Sequence, residues 1–184
     1  MSIDLRRHAA GDLGTIEGAL LSVYGEVHAA DGIFHSTDRF AERLASHAKA
    51  PGWTAIIAYD DDQPTAFTYA APLMTSRWWS AMLTPLPLEY TAETGTRTLA
   101  LFELMVRLPW RGTGLAARLH ETLLAGRAEE RVTLLVDPAN VKVKARYESW
   151  GYHNVGPQQP FPDSPRYATM VKTLNGAHAG AARP

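Results

Sequence analysis

A glycine-rich segment, residues 111–116, is the part of the sequence whose residue types point most directly to chemistry. It reads Arg-Gly-Thr-Gly-Leu-Ala, directly after an apolar run over 99–106 and directly before a helix-like stretch over 115–124. The first amides of a helix have no partner inside it, and the positive end of the helix dipole lies there. Glycines let the backbone approach a bulky anion, and Arg111 adds a permanent charge. The segment therefore predicts a phosphate-binding turn between a strand and a helix.

Two common phosphate loops do not fit this segment. A Walker A loop needs Gly-Lys-Ser/Thr, which is missing, and the dinucleotide fingerprint needs a third glycine where Ala117 stands. An ordinary strand–helix turn that is merely rich in glycine remains the alternative.

A second segment follows the same plan of strand, turn and helix. A short β-branched run over 133–136 precedes Asp-Pro-Ala-Asn, in which Asn140 suits a helix start, and Gly151 suits the helix stop. Tyr147 lies inside the predicted helix, on one face with Val143 and Trp150. The two segments occur in order, separated by one helix and one strand.

Together these residues resemble the GNAT acyltransferase superfamily over residues 98–155. Segment 111–116 is similar to the loop that holds the pyrophosphate of acyl-CoA, and Asn140, Tyr147 and the Gly-Tyr pair after the helix are similar to its second motif. The family usually has a small residue three positions after the asparagine, where this chain has Val143, so contacts to the CoA arm at that point are in doubt. The resemblance implies acyl transfer from acetyl-CoA to an amine.

The resemblance also implies an α/β (α+β) fold. A mixed, twisted sheet of about six to seven strands is expected, with helices on both faces and central strands that splay apart to admit the pantetheine arm. Hydrophobic patterning agrees with this layout. Strands are predicted at 3–7, 53–59, 65–71, 99–106, 132–136 and 167–171, and helices from Leu13, after Ser36, over 115–125 and over 141–150. We expect residues 1–174 to form a single acyltransferase domain and 175–184 a flexible tail.

Glu103 is the candidate general base. It lies in the middle of an apolar strand, where burial of a carboxylate is costly and raises its pKa toward the range useful for a base. The alternative is a structural carboxylate paired with Arg97 or Arg107.

The resemblance assigns the remaining roles near acetyl-CoA. A backbone N–H at the splay would polarise the thioester carbonyl, the loop would hold the pyrophosphate, and Asn140 would bind the pantetheine arm. Tyr147 would protonate or hydrogen-bond the leaving sulfur, or else be a core aromatic. The predicted cofactor-binding residues are Leu104, Met105, Val106, Arg111, Gly112, Thr113, Gly114, Leu115, Ala116, Asn140 and Tyr147.

Candidates for the acceptor site come from two loops. The loop after the first helix carries Glu26, His28, Phe34 and also Asp31 and His35; its carboxylates would suit a cationic amine, or be merely solvated. The insert over 72–97 carries Trp78 and Trp79, which either contact substrate or cover a core edge. The histidines show no metal-binding spacing, so we expect no metal.

The amino-acid composition limits the classes of function that this protein can have. The 184 residues carry a net charge of −1, with no cysteine and 46% hydrophobic residues. This excludes disulfides and thiolate catalysis and gives no sign of nucleic-acid binding. Without an apolar signal or membrane segment, we expect a cytoplasmic protein that acts on a small-molecule amine, with a homodimer as one possible assembly. A non-catalytic CoA-binding module, a transferase of a longer acyl chain and a transferase to a protein amine remain the alternatives.

Overall fold

The structure, a computed structural model, describes residues 3–174. It is a mixed α/β fold with a seven-stranded sheet in the order β1-β2-β3-β4-β5-β7-β6. The strands are β1 (Ile3–Ala9), β2 (Thr54–Asp60), β3 (Gln63–Pro72), β4 (Thr98–Val106), β5 (Arg131–Val136), β6 (His153–Gln158) and β7 (Tyr167–Thr173). The helices are α1 (Leu13–Val27), α2 (Thr37–His47), α3 (Leu88–Thr91), α4 (Leu115–Leu124) and α5 (Val141–Ser149). The predicted fold class is confirmed.

The chain divides into two compact units. The first, in its described part, comprises residues 3–71 and 101–127. The second comprises residues 72–100 and 128–174. The prediction of a single domain over 1–174 stays a prediction, and the predicted tail at 175–184 lies outside the described residues.

The first unit is an antiparallel sheet whose one face packs against α1 and α2. Helix α2 begins where predicted, because the Ser36 side chain accepts a hydrogen bond from the Arg39 amide. Buried apolar side chains of α1, α2, β2 and β3 form its core, and Phe102 and Met105 of β4 pack against that core. The core thus fixes the register of the β4 residues around Glu103.

The second unit contains the start of β4 paired in parallel with β5. The paired residues run from Thr98 with Arg131 to Ala100 with Thr133. A buried ion pair, Arg131 Nη2 to Glu93 Oε1 at 3.1 Å, ties the insert before β4 to β5. The insert is therefore a structured part of the second unit, with a 3₁₀ turn over Ser76–Ala81 and α3.

Strand β6 is the strand that the sequence patterning does not predict. It contains Gly156 and Pro157, which ordinarily argue against a strand. The structure places β6 at the end of the strand order, paired along its length with β7 and joined on its other side to Met82 by a single bridge at Gln158. A proline is tolerated at this edge because the neighbouring segment uses the carbonyl of Pro157, which accepts the Leu83 amide at 2.9 Å, and needs no donor from it.

No helix within residues 3–174 is long and apolar enough to cross a bilayer.

Candidate functional site

The glycine-rich loop forms the turn into α4 in the first unit. Gly112 and Gly114 have φ angles of 78° and 83°, and Gly114 is the N-cap of α4. A Cβ added at either glycine would meet no atom within 4 Å. Glycine is therefore required here by the left-handed backbone, not by crowding.

Side chains hold this loop in place and leave its amides available. The Thr113 hydroxyl donates to the carbonyl of Trp110 at 2.7 Å, and Arg111 Nε donates to the carbonyl of Val106 at 2.9 Å. Within residues 3–174, the N–H groups of Gly112, Thr113 and Gly114 have no hydrogen-bond acceptor. Together with the α4 dipole they form a cradle suited to a phosphate group.

Glu103 is half-buried in β4 and stands without a counter-ion. Among residues 3–174 its carboxyl has no hydrogen bond and no ion pair. Arg107, one of its two predicted partners, instead pairs with Glu26 at 3.0 Å and donates to the Ser22 hydroxyl at 2.6 Å. Arg97, in the second unit, pairs with Glu130. The alternative of a salt-bridged structural carboxylate is therefore not what the structure shows.

Desolvation raises the pKa of Glu103 from its ordinary 4.5 to about 7, and the positive charge of Arg43 opposes this rise. A carboxyl that is half ionised near neutral pH can take a proton from an ammonium or a developing amide nitrogen. This is the electrostatic property that a general base needs.

Two side chains of the first unit, Arg43 and Tyr69, interact electrostatically with Glu103, and Arg43 also acts on His47. Burial raises the pKa of Tyr69 well above its ordinary value, with a further rise from Glu103. Burial also lowers the pKa of His47 to about 4, and Arg43 lowers it further. The Tyr69 hydroxyl and the neutral ring of His47 share a hydrogen bond, Oη to Nδ1, at 3.1 Å.

Sequence reasoning missed this group, because its members come from β3, α2 and β4. Arg43 and His47 are one helical turn apart on α2, beside the buried Phe40 and Leu44. The sequence signal that could have indicated these two residues is a pair of basic side chains, four positions apart, next to the apolar face of a helix. His47 also stacks on Phe102, with ring centroids 3.7 Å apart.

The unpaired carboxyl of Glu103 predicts an unusual pH dependence of stability. Its pKa is higher in the folded than in the unfolded chain, so the folded state loses stability as pH rises from about 4.5 to about 7. We expect Glu103→Gln to stabilise the fold by about 1–2 kcal/mol at pH 8 and to have little effect at pH 4.5. Urea unfolding at both pH values measures this. An equal effect at the two pH values would contradict the assigned pKa.

The loop between α1 and α2 brings its predicted residues together. His28 Nδ1 lies 2.5 Å from a carboxylate oxygen of Asp31, and the rings of His28 and His35 stack with centroids 4.5 Å apart. Their ligand atoms and that of Asp31 lie within 4.8 Å of one another, a proximity that sequence spacing did not reveal. The two ring planes are parallel to within 5°, so their in-plane lone pairs do not converge on one ion.

In the second unit, Tyr147 lies in α5 and Asn140 is the N-cap residue of this helix. The Asn140 side-chain oxygen accepts the amide of Val143 at 3.3 Å and so caps the helix. Tyr147 is 9% exposed and packs edge-to-face on Trp150 and Tyr152, each with ring centroids 5.5 Å away. The cap explains the local role of Asn140, and the packing fixes the ring of Tyr147.

The two tryptophans of the insert differ in burial. Trp79 is 4% exposed, and its indole N–H donates to Glu93 at 2.7 Å, in the buried network with Arg131. Trp78 is half-buried, and its carbonyl accepts from Gln158 at 2.9 Å. Trp79 is thus part of the core of the second unit. A substrate contact by either tryptophan stays a prediction.

Comparison with known proteins identifies relatives of this fold. The sequence model of the acetyltransferase (GNAT) family matches residues 20–152. No curated protein sequence matches the chain significantly.

Solved structures agree with the family match in fold. PH1933 from Pyrococcus horikoshii is 20% identical with a TM-score of 0.64, covering 95% of this chain and 99% of that one. The ribosomal-protein-S18-alanine N-acetyltransferase of Escherichia coli is 17% identical with a TM-score of 0.63, covering 99% and 100%. The PaiA N-acetyltransferase of Thermoplasma acidophilum, solved with coenzyme A, is 13% identical with a TM-score of 0.59, covering 95% and 100%.

Proposed function

The chain belongs to the acetyltransferase (GNAT) family and is an acyltransferase, and we propose that it transfers the acetyl group of acetyl-CoA to a primary amine of a small molecule. We further propose direct transfer in a ternary complex. The observation that carries this proposal is the carboxyl of Glu103, half-buried in β4, without a counter-ion in the described chain and half ionised near neutral pH.

The glycine-rich loop supports acetyl-CoA as the donor. Its unpartnered amides from Gly112 to Gly114, the start of α4 and the exposed Arg111 fit the charge of a diphosphate. The chain contains no cysteine, so no cysteinyl acyl-enzyme can form. This absence favours direct transfer over a relay through a protein thiol.

Acetyl-CoA supplies an activated acetyl carbon, which forms a bond to the amine nitrogen while the carbon–sulfur bond breaks. Glu103 removes the proton that the nitrogen must lose, directly or through a water molecule. A backbone N–H of the β4 segment 104–106 polarises the thioester carbonyl. We assign Tyr147 as the donor to the departing sulfur on its motif, so that coenzyme A leaves as a thiol.

The proposal that the acceptor is a small molecule rests on the net charge of the chain. The net charge of −1 arises from 18 basic and 19 acidic residues, so the chain lacks the acidic excess that would attract a polybasic protein segment. A panel of small primary amines with acetyl-CoA, followed by thiol release and mass spectrometry of the product, tests the proposal. Acetylated amine is expected. Tight coenzyme A binding with every amine inert would favour a binding module instead.

Tyr147→Phe tests the role of the hydroxyl. We expect kcat to fall about tenfold, a modest loss because a thiolate with a pKa of about 8.5 is already a good leaving group. The effect should vanish with a more acidic aryl thioester as the acetyl donor. Tyr152→Phe, which removes a hydroxyl from the neighbouring buried tyrosine, is the matched control and should retain full activity. Equal losses in both variants would make Tyr147 a packing residue.

A further inference from the structure

Arg43 is a half-buried cation with no carboxylate partner among residues 3–174. Its guanidinium donates from Nη2 to the Tyr24 hydroxyl at 2.9 Å and from Nη1 to the Phe34 carbonyl at 3.4 Å. Its Cζ atom lies 5.5 Å from the centre of the Phe34 ring. Its other N–H groups have no acceptor within the described residues, although a guanidinium offers five donors. A half-buried arginine with unused N–H donors and no paired carboxylate is available to bind an anion from outside the chain.

The carboxylates of the neighbouring loop do not neutralise Arg43. Glu26 is engaged by Arg107 at 3.0 Å, and Asp31 by His28 at 2.5 Å. These two carboxylates were the sequence-based candidates for binding a cationic acceptor. Both are held by partners other than Arg43, so neither forms an ion pair with its guanidinium.

Two observations indicate that Arg43 lies near the candidate base: the effect of its charge on neighbouring pKa values, and the packing of α2 on β4. Its charge acts on Glu103 and on His47, which lies one turn further along α2. His47 stacks on Phe102, the residue before Glu103 in β4. An acceptor whose amine reaches Glu103 therefore has its remaining groups within the field of Arg43.

We propose that the acceptor is an amine that also carries a carboxylate, an amino acid or a close analogue, and that Arg43 binds this carboxylate. The inference rests on the proposed acetyl transfer and narrows its substrate class. A planar guanidinium matches a carboxylate with two parallel hydrogen bonds, a geometry that lysine does not offer.

A series of hydrogen bonds holds Arg43 in the required orientation. Its Nη2 donates to Tyr24, whose hydroxyl lies 3.2 Å from Nδ1 of His35. The His35 ring stacks on His28, which is itself held by Asp31. Tyr24 is 1% exposed and stacks on Phe40 with ring centroids 3.9 Å apart, so this support is rigid. The guanidinium is thus oriented before the acceptor arrives, which lowers the entropic cost of binding.

The competing account is that Arg43 only tunes the pKa of Glu103. In that case its removal would raise the pH at which the activity appears, equally for every acceptor. Carboxylate binding instead discriminates between acceptors that differ only in the carboxylate. The experiment therefore compares matched acceptors, and it records the pH profile alongside.

The test measures kcat/KM with acetyl-CoA for each common amino acid, its C-terminal amide and its decarboxylated amine. For the best amino acid we expect a preference over both matched compounds of about 30-fold or more. The amide has the more acidic ammonium and would be the better acceptor without carboxylate recognition. The expected preference therefore runs against intrinsic reactivity, and it is measured without any substitution in the protein.

Substitutions then test whether Arg43 is the residue that binds the acceptor carboxylate. Arg43→Met should lower kcat/KM for the amino acid about 30-fold and leave the matched amide and amine within about threefold. Arg43→Lys should restore part of the loss. Arg6→Met, which removes an exposed arginine that pairs with Asp4 in the same unit, should change nothing.

The possible outcomes distinguish carboxylate binding by Arg43, pKa tuning by Arg43 and failure of the proposed acetyl transfer. Acetylation of amines without preference for the carboxylate overturns this inference and leaves the acetyl transfer standing. A loss in Arg43→Met that is equal for all acceptors and accompanied by a shifted pH profile also overturns it, in favour of pKa tuning. Inert acceptors throughout, with coenzyme A bound in calorimetry, overturn the proposed function and the inference together.

Discussion

Replacing Glu103 with glutamine is expected to lower kcat for amine acetylation by about 100- to 10,000-fold, the usual contribution of a positioned general base. The amide of glutamine keeps the size of the side chain but cannot accept the proton. Because the side-chain hydrogen bonds that hold the glycine-rich loop come from Arg111 and Thr113 and not from Glu103, the affinity for coenzyme A should stay within about twofold. Initial rates at saturating acetyl-CoA and calorimetric titration of coenzyme A measure the two quantities separately.

The pH profile gives this substitution a sharper readout. With a pKa of about 7, the wild-type carboxyl loses its proton as pH rises through neutrality, so kcat/KM for the amine should rise across that interval. Glu103→Gln should lack this rise and show only the ionisation of the acceptor amine. Glu121→Gln, at an exposed position of α4 in the same unit, is the control and should keep the wild-type profile. If kcat/KM of the Glu103 variant still rose with pH near pH 7 as in the wild type, Glu103 would not be the general base.

The sequence patterns predicted the parts of the molecule whose structure depends on local interactions. The turn at Gly112 and Gly114, the start of α2 at Ser36 and the start of α5 at Asn140 all follow from backbone preference or capping, which neighbouring residues decide. Glu103 stood out because a charge in an apolar strand needs an explanation.

The remaining features depend on tertiary packing. Arg43 becomes informative only once Glu26 and Asp31 are seen to be paired elsewhere, and no spacing in the sequence shows that. Strand β6 was missed because the edge position that makes Pro157 acceptable is a property of the sheet. The contact of His28 with His35 likewise requires the loop to fold back on itself.

The second large effect is expected at the phosphate loop. Gly114→Val places a β-branched side chain at a φ angle of 83°, which L residues strongly disfavour. The loop should relax and withdraw its amides from the diphosphate. Losing two hydrogen bonds to a charged group corresponds to about a 100-fold weaker Kd for coenzyme A. Calorimetric titration of coenzyme A measures this change.

Gly126→Val provides a matched control. Gly126 follows α4 in the same unit with a φ angle of 74°, and a Cβ there would also meet nothing within 4 Å. Both variants should lose similar stability, about 1–2 kcal/mol, in urea unfolding. Only Gly114→Val should lose coenzyme A affinity. If both lost affinity equally, the effect would be one of general stability and the loop would have no special part in binding.

The most direct test of the account follows the acetyl group itself. Acetyl-CoA labelled with ¹³C at the carbonyl is mixed with the protein and an acceptor amino acid, and the label is followed by NMR and by intact-protein mass spectrometry. We predict that the label appears in the amide of the product at the rate at which coenzyme A thiol is released, with no acetylated protein formed on the way. Label that accumulates on the protein before product forms, or that ends only in free acetate, would contradict direct transfer to the amine.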